Sequence, residues 1–387
     1  MKIAVIGAGT AGALAVSHLH RWTKDCEIEL YFDSSIKPQP VGEGSTNVFP
    51  NALWHNLNFT FDDLVKLDGT IKYGIDKRNW GGADAKDFIH PFYPPNVGYH
   101  FNAGKFQNYV INQLKDNIKI IDKNVTADNI DADFVMDCSG KPDNYDDFVM
   151  SDTISVNAVY VTQCFWDRPL ENNTLAIARP YGWVFGIPLQ NRFSIGYMYN
   201  HNINTLEEVK EDVKNVFADL EITPSTTTNA FTFKNYIRKE NFTSRIAYNG
   251  NASFFLEPME ATSITVMDFI NRGAIDIWTG KTSYQDYNNA YLEFLQEIES
   301  MIMLHYFAGS KFHTPFWDFA KERGKKSTTR MMQNPKFNFI YEMSKQLHPG
   351  EGMEAQVSYG ALLAQSYKIN LNGLNLYDQL EGVKNHG

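Results

Sequence analysis

Lys2-Ile3-Ala4-Val5-Ile6-Gly7-Ala8-Gly9-Thr10-Ala11-Gly12 decides the fold of this chain. A short apolar run ends at three closely spaced glycines, and Ala13 to Trp22 continues with helical periodicity. Glu27 to Phe32 reads as a second strand, which completes a strand-helix-strand unit of the expected size. In such a unit Gly7 permits the tight turn, Gly9 lets the backbone approach a pyrophosphate, and Gly12 allows close packing of helix on strand. Asp33 follows Gly12 by about 20 residues, the spacing of an acid that binds ribose hydroxyls. A chance cluster of glycines would lack the strand before it, the helix after it and the acid at that distance. The fingerprint serves FAD and nicotinamide dinucleotides alike.

The bulk properties narrow the classes of partner. The chain has 387 residues, of which 43% are hydrophobic, enough to bury a sizeable core. Its formal net charge of -10 argues against a nucleic-acid partner. Lys and Arg are dispersed, and the run Arg323-Gly324-Lys325-Lys326 reads as a solvated loop. Cys26, Cys138 and Cys164 lie far apart without metal spacing, as in a reducing, cytoplasmic setting. Cys138 sits in an apolar run and reads as a small buried hydrophobe. No 18-residue apolar stretch points to a membrane, and a strand stands where a signal peptide would.

Further along, Lys105 to Lys115 has helical periodicity, and Phe134-Val135-Met136 is a buried strand ending at Asp137-Cys138-Ser139-Gly140. From Ile154 to Tyr199 short alternating aromatic strands, such as Val156 to Val161, predict an antiparallel sheet inserted into the parallel one. Leu206 to Leu220, Ile264 to Thr279 and Tyr284 to Phe307 read as helices, and the tail beyond Phe337 as helical too. The expectation is an α/β fold: a Rossmann-like parallel sheet, an antiparallel insertion at about 151–240, and a helical C-terminal region over 281–387. With no linker rich in Gly, Ser or Pro, residues 1–280 and the C-terminal region are expected to intertwine as one body.

Four further motifs follow the fingerprint: Thr70-Ile71-Lys72-Tyr73-Gly74-Ile75, Gly182-Trp183-Val184-Phe185-Gly186-Ile187-Pro188, Leu256-Glu257-Pro258-Met259-Glu260-Ala261-Thr262-Ser263, and Thr314-Pro315-Phe316-Trp317. In this order the series resembles the flavin-dependent halogenases, specifically their tryptophan-halogenase branch. The resemblance covers Met1 to about Trp317. It implies FAD, used as FADH2, held by Gly7, Gly9, Thr10, Ala11, Gly12, Asp33, Asn251 and Ile264. The loop Val41-Gly42-Glu43-Gly44-Ser45-Thr46 matches the family segment that lies against the cofactor. Asp133 to Gly140 and Gly250-Asn251-Ala252 resemble two further segments of the large FAD-binding fold, Asn251 standing where that fold carries an acid. With only one complete glycine fingerprint, a separate flavin reductase is expected to supply the reduced cofactor.

The resemblance also assigns the chemistry. Lys72 would hold hypohalous acid, or carry the halogen as a haloamine, since an ammonium can donate to the leaving oxygen and a neutral amine can be halogenated. Alone it would read as a surface lysine; Gly74-Ile75 and Trp80 after it reverse that reading. Glu260 would assist the oxidant or take the proton from the ring, the plainer alternative being an acid favoured by the helix macrodipole. Thr262 and Ser263 would cradle a halide (chloride, bromide or iodide) at that helix start. Trp183, Phe185, Ile187 and Pro188 would shield the flavin, with Phe185 in place of a family tryptophan. His90 and Phe92 would face the substrate ring, or else belong to an aromatic loop packed in the core. His305-Tyr306 and the Thr314 motif read as structural, and His313 as non-catalytic.

The chain is shorter than the tryptophan halogenases and has no tryptophan after Trp317. Phe337, Phe339, Tyr341 and Tyr359 are the aromatics left to complete a substrate sandwich. This predicts a wider pocket and a small electron-rich aromatic substrate of indole, phenol or aniline type. No nucleic acid or membrane partner is expected, while a C-terminal helical surface could pair copies into a homo-oligomer. An FAD-dependent monooxygenase that hydroxylates the ring, and a flavin-binding protein without this chemistry, are the competing readings.

Overall fold

The structure, a computed structural model, describes residues 1–36, 42–92, 95–166, 171–348 and 357–386. It divides into two compact units, each assembled from three stretches of chain. The first contains Met1–Lys72, Tyr93–Met150 and Asn235–Glu293, and the second Tyr73–Phe92, Ser151–Lys234 and Phe294–Gly387.

The first unit is built on a five-stranded, all-parallel sheet in the order Ile246–Tyr248, Phe134–Asp137, Lys2–Ile6, Glu27–Phe32, Lys119–Asp122. Ile3 and Val5 point to one face and Ala4 and Ile6 to the other, and all are buried, as expected of a strand covered on both sides. Ala4 and Ile6 pack with Ala127, Ile130 and Val135. The helix Thr10–Trp22 packs against Val48–Leu57, Ala103–Leu114 and Ser263–Trp278. Its run of small residues, Ala11 to Ala13 and Ala15, permits that close approach. Two three-stranded antiparallel sheets complete the unit: Gly42–Gly44, Gly98–Asn102, Thr70–Lys72, and Phe148–Met150, Tyr236–Arg238, Phe254–Phe255.

The second unit carries a seven-stranded sheet in the order Thr223–Thr232, Ala158–Phe165, Phe193–Tyr199, Gly182–Pro188, Asn173–Arg179, Gly74–Arg78, Phe88–Pro91. All its pairings are antiparallel except that of Asn173–Arg179 with Gly74–Arg78. One face takes the helix Leu206–Asp219 through Val209, Val213 and Val216. Below that helix Arg179 donates twice to Asp212, at 2.6 and 2.9 Å, and the Tyr197 hydroxyl donates to the same carboxylate at 2.8 Å. Trp80 sits among Trp183, Tyr306 and Trp317, its edge 5.4 Å by centroid from Trp317. The C-terminal part is helical over Pro315–Met332, Pro335–Gln346, Ala364–Gly373 and Tyr377–His386, with a short hairpin of Ser358–Tyr359 and Leu362–Leu363.

The expected combination of parallel sheet, antiparallel sheet and C-terminal helices is therefore present. Three details differ. The strand read from Val156 begins at Ala158. The antiparallel sheet also recruits Gly74–Arg78 and Phe88–Pro91, which precede the expected insertion and could not be assigned to it from local alternation. Arg323-Gly324-Lys325-Lys326 is no loop but the middle of the helix Pro315–Met332. Gly324 is there because a side chain would meet the Phe307 backbone nitrogen at 2.4 Å, so two helices touch backbone to backbone. Its charged neighbours are anchored: Arg323 donates to the Ile154 carbonyl, and Lys326 pairs with Asp152.

Candidate active site

The site begins at the turn between Lys2–Ile6 and Thr10–Trp22. Gly7 has φ +91°, and any side chain on it would meet the Cys138 carbonyl oxygen at 2.3 Å. At Gly12 a side chain would lie 1.8 Å from the Gly7 carbonyl oxygen. These two glycines are thus required by the protein's own packing. Gly9 differs: it caps the helix in an extended conformation, no side chain caps the first turn, and nothing lies within 4 Å of where its side chain would point. An exposed strip of backbone at a helix N-terminus, left open by a missing Cβ, fits the pyrophosphate of a dinucleotide.

Two other segments meet this turn within the first unit. Gly250, φ +58°, brings the turn Gly250–Ala252 against Ala11, where a glycine side chain would come within 2.7 Å of the Ala11 methyl. The exposed Asn251 is anchored by its carbonyl, which accepts from the Tyr236 hydroxyl at 2.8 Å. Buried Asn249 orders the same turn by accepting from the Gly250 N–H and donating to Asn271 and to the Met267 carbonyl. Asp33 accepts from Ser35 N–H and Oγ at the end of its strand.

The second segment is Gly42–Thr46; Val41 lies outside the described residues. Thr10 Oγ1 donates to Glu43 Oε1 at 2.5 Å. Burial pushes the Glu43 carboxyl up to about 7, against the opposing effect of that hydrogen bond. Ser45 is fully buried, and its hydroxyl and N–H both engage the main chain of Tyr99. Thr46 Oγ1 shares a 2.9 Å hydrogen bond with Thr265 Oγ1 and so ties the loop to the helix Ser263–Trp278.

At the start of that helix the chain makes an unusual turn. Glu260 and Ala261 adopt φ +65° and +54°, left-handed conformations that cost a side-chain-bearing residue free energy. Glu260, Thr262 and Ile264 are buried and Ser263 is half-buried. The strain thus falls on the buried acid itself and on the residue after it, and such strain clusters at functional sites.

Lys72 is fully buried on the edge strand Thr70–Lys72. It stands opposite Gly98, where a side chain would press on both the Lys72 stem at 3.3 Å and the Ser45 carbonyl at 2.5 Å. On the same face, His100 accepts or donates at Nδ1 to Thr70 Oγ1, 3.0 Å away. Burial, reinforced by the nearby Lys72 charge, holds the His100 imidazole well below its ordinary value. The alternation of Gly98–Asn102, with Tyr99 and Phe101 on the other face, was the only sequence signal for His100.

The second unit carries the remaining residues. Trp183, Phe185, Ile187 and Pro188 are buried on one strand, with the Trp183 and Phe185 ring centroids 6.2 Å apart. Gly196 on the neighbouring strand makes room for the Phe185 ring. His90 lies on the edge strand Phe88–Pro91 rather than in a loop, with its ring 5.7 Å from that of Phe92. Thr314 Oγ1 donates to the Pro180 carbonyl and Trp317 Nε1 to the Arg179 carbonyl, which makes that motif a clasp on the sheet.

Among the described residues no cluster of His, Cys, Asp and Glu could hold a metal ion, and no helix is long and apolar enough to cross a membrane. The family model described as "Tryptophan halogenase" matches residues 2–120 and 95–344. The tryptophan 7-halogenase of Lentzea aerocolonigenes is 24% identical over 318 residues, which cover 77% of this chain and 57% of that protein. The 7-chloro-L-tryptophan 6-halogenase of Kutzneria is 26% identical over 51% of this chain and 41% of its own. The chain thus spans about half the length of the curated relatives it matches. In structure, a tryptophan 6-halogenase from Streptomyces toxytricini superposes with TM-score 0.78 at 18% identity, covering 100% of this chain and 96% of that one. A tryptophan halogenase from Shewanella frigidimarina does so with TM-score 0.79 at 17% identity, covering 100% and 93%. These two likenesses speak for the fold alone.

Proposed function

This chain belongs to the tryptophan halogenase family, and on that premise we propose that it is a flavin-dependent halogenase acting on a small electron-rich aromatic ring. The observation that carries the reading is Lys72: a lysine without any exposed surface, packed against a glycine that clears its stem, in the unit that holds the dinucleotide turn. Burying a lysine costs free energy that a surface role would never require.

FAD fits the open backbone at Gly9, with Thr10 and Ala11 offering N–H groups to the pyrophosphate and Asp33 taking the ribose. Glu43, bonded to Thr10, and Asn251, on the turn that meets Ala11, would line the cofactor with Gly44, Thr46 and Ile264. When bound and reduced, by electrons from a separate flavin reductase, the flavin would supply the oxygen activation that turns halide into hypohalous acid.

The protein's own groups do the rest. The N-terminus of Ser263–Trp278, with Thr262 and Ser263, attracts the halide. Lys72 Nζ binds the hypohalous acid and donates a hydrogen bond to its oxygen, which makes the halogen the electrophilic end. Neutral His100 beside it adds no competing positive charge. Glu260 accepts the proton that leaves the ring carbon once the halogen is attached. To residues of the second unit the family resemblance assigns two further roles: Trp183, Phe185, Ile187 and Pro188 would keep organic substrate from the flavin, and His90 and Phe92 would hold the ring to be halogenated.

The test is mass spectrometry of phenols, indoles and anilines incubated with the protein, FAD, a flavin reductase and NADH, with chloride, bromide or iodide in parallel and catalase present. A halide-dependent mass gain is expected. A gain of one oxygen without halide would make the protein a monooxygenase instead.

A further inference from the structure

The second unit buries a lysine, two histidines and an amide in one connected cluster. Lys77 is fully buried on Gly74–Arg78, with Nζ donating to Asn370 Oδ1 at 2.5 Å and lying 2.6 Å from His305 Nε2. His305 Nδ1 in turn lies 3.3 Å from the carbonyls of Met301 and Ile302. Asn370 Nδ2 donates to the Ser366 carbonyl at 3.0 Å and reaches His90 Nδ1 at 3.5 Å. His90 pairs with Ile75 and Phe88 pairs with Lys77, so His90 and Lys77 share one face of adjoining strands.

The donors and acceptors of this cluster permit one arrangement. An ammonium has three donors and no acceptor, so it must meet the oxygen end of Asn370. The Ser366 carbonyl only accepts, so it must meet the nitrogen end. Two independent neighbours therefore fix the amide the same way round, and its remaining N–H faces His90 Nδ1. That nitrogen has to accept, which in a neutral imidazole leaves the proton on Nε2. His305 obeys the same logic in mirror image: Nε2 accepts from Lys77, and Nδ1–H points at helix carbonyls.

We propose that Lys77, acting through Asn370, is a positioning residue that fixes the His90 proton on Nε2, so that His90 meets the substrate as a hydrogen-bond donor. The matching substrate carries an acceptor oxygen on its ring, as a phenol does; an indole offers only an N–H donor there. This rests on the reading above that His90 faces the substrate, but the location of the proton does not.

The experiment is a two-bond proton–nitrogen correlation spectrum of the flavin-loaded protein labelled with nitrogen-15 histidine, His90 being assigned by its loss in His90→Gln. Wild type should show an unprotonated Nδ1 and a protonated Nε2. Asn370→Asp keeps an oxygen for Lys77 but turns another toward His90, and should pull the proton to Nδ1. Lys77→Met frees the amide and should leave His90 as a mixture of both forms. A destabilised but otherwise passive cluster would lower the melting temperature without moving the proton. A proton on Nδ1 in wild type, or one tautomer common to wild type and Asn370→Asp, would overturn the proposal even if Lys77→Met failed to fold. In turnover, Asn370→Asp should lower kcat/KM for a phenol relative to an indole about fivefold, the worth of one hydrogen bond. Absence of any halogenation by wild type would sink the halogenase reading and leave the spectrum to judge this one.

Discussion

Lys72 and His100 lie on the same face of one small antiparallel sheet, both without exposed surface, and the histidine is held neutral by burial and by the lysine's charge. The pair concentrates one positive charge at a place where a second would be costly. That neutrality has a measurable consequence. The folded chain refuses a proton that the unfolded chain accepts below about 6.5. Stability should therefore fall as pH drops through that value, and His100→Gln should flatten this part of the profile in thermal melts from pH 7.5 to 5.

Glu43 gives the opposite slope. Its carboxyl titrates at about 7 in the fold and at the ordinary lower value when unfolded. The folded chain then holds the extra proton, so this contribution is fully present below the unfolded value and is lost as pH rises through about 7. Melts of the flavin-free protein should show Glu43→Gln gaining on wild type between pH 6 and 8. Equal slopes for the two would contradict the burial of that carboxyl.

The three fingerprint glycines should separate by role. Gly12→Ala places a methyl on the Gly7 carbonyl and should destabilise by about 3 kcal/mol. Gly9→Ala meets nothing in the protein and should fold normally, yet bind FAD roughly tenfold more weakly, as the methyl enters the space left for the pyrophosphate. Flavin fluorescence titration beside a thermal melt measures both.

The strained turn before Ser263–Trp278 predicts a gain. Ala261 holds φ +54° and carries only a methyl group. Ala261→Gly should raise stability by about 1 kcal/mol. If the melting temperature falls instead, the left-handed turn is not strained.

What could be read in the sequence was what local pattern dictates. The strand Lys2–Ile6, the helix after it and Glu27–Phe32 follow from a turn whose glycines act within a few residues. The helices Leu206–Asp219 and Tyr284–Ala308 follow from their apolar periodicity. The partners of Lys77 were illegible because His305 and Asn370 lie 228 and 293 residues away. No spacing rule spans such distances. His100 was missed because its partner Thr70 comes from another strand, and Arg323 to Lys326 misled because a charged run with a glycine reads as a loop until Phe307 is seen against it.

The most direct test of the central claim is Lys72→Ala, assayed with FAD, reductase and halide on the substrates that wild type halogenates, beside a flavin titration of the same variant. The variant should bind FAD within about twofold of wild type and give no halogenated product by mass spectrometry. Halogenated product at an appreciable fraction of the wild-type rate would remove Lys72 from the reaction.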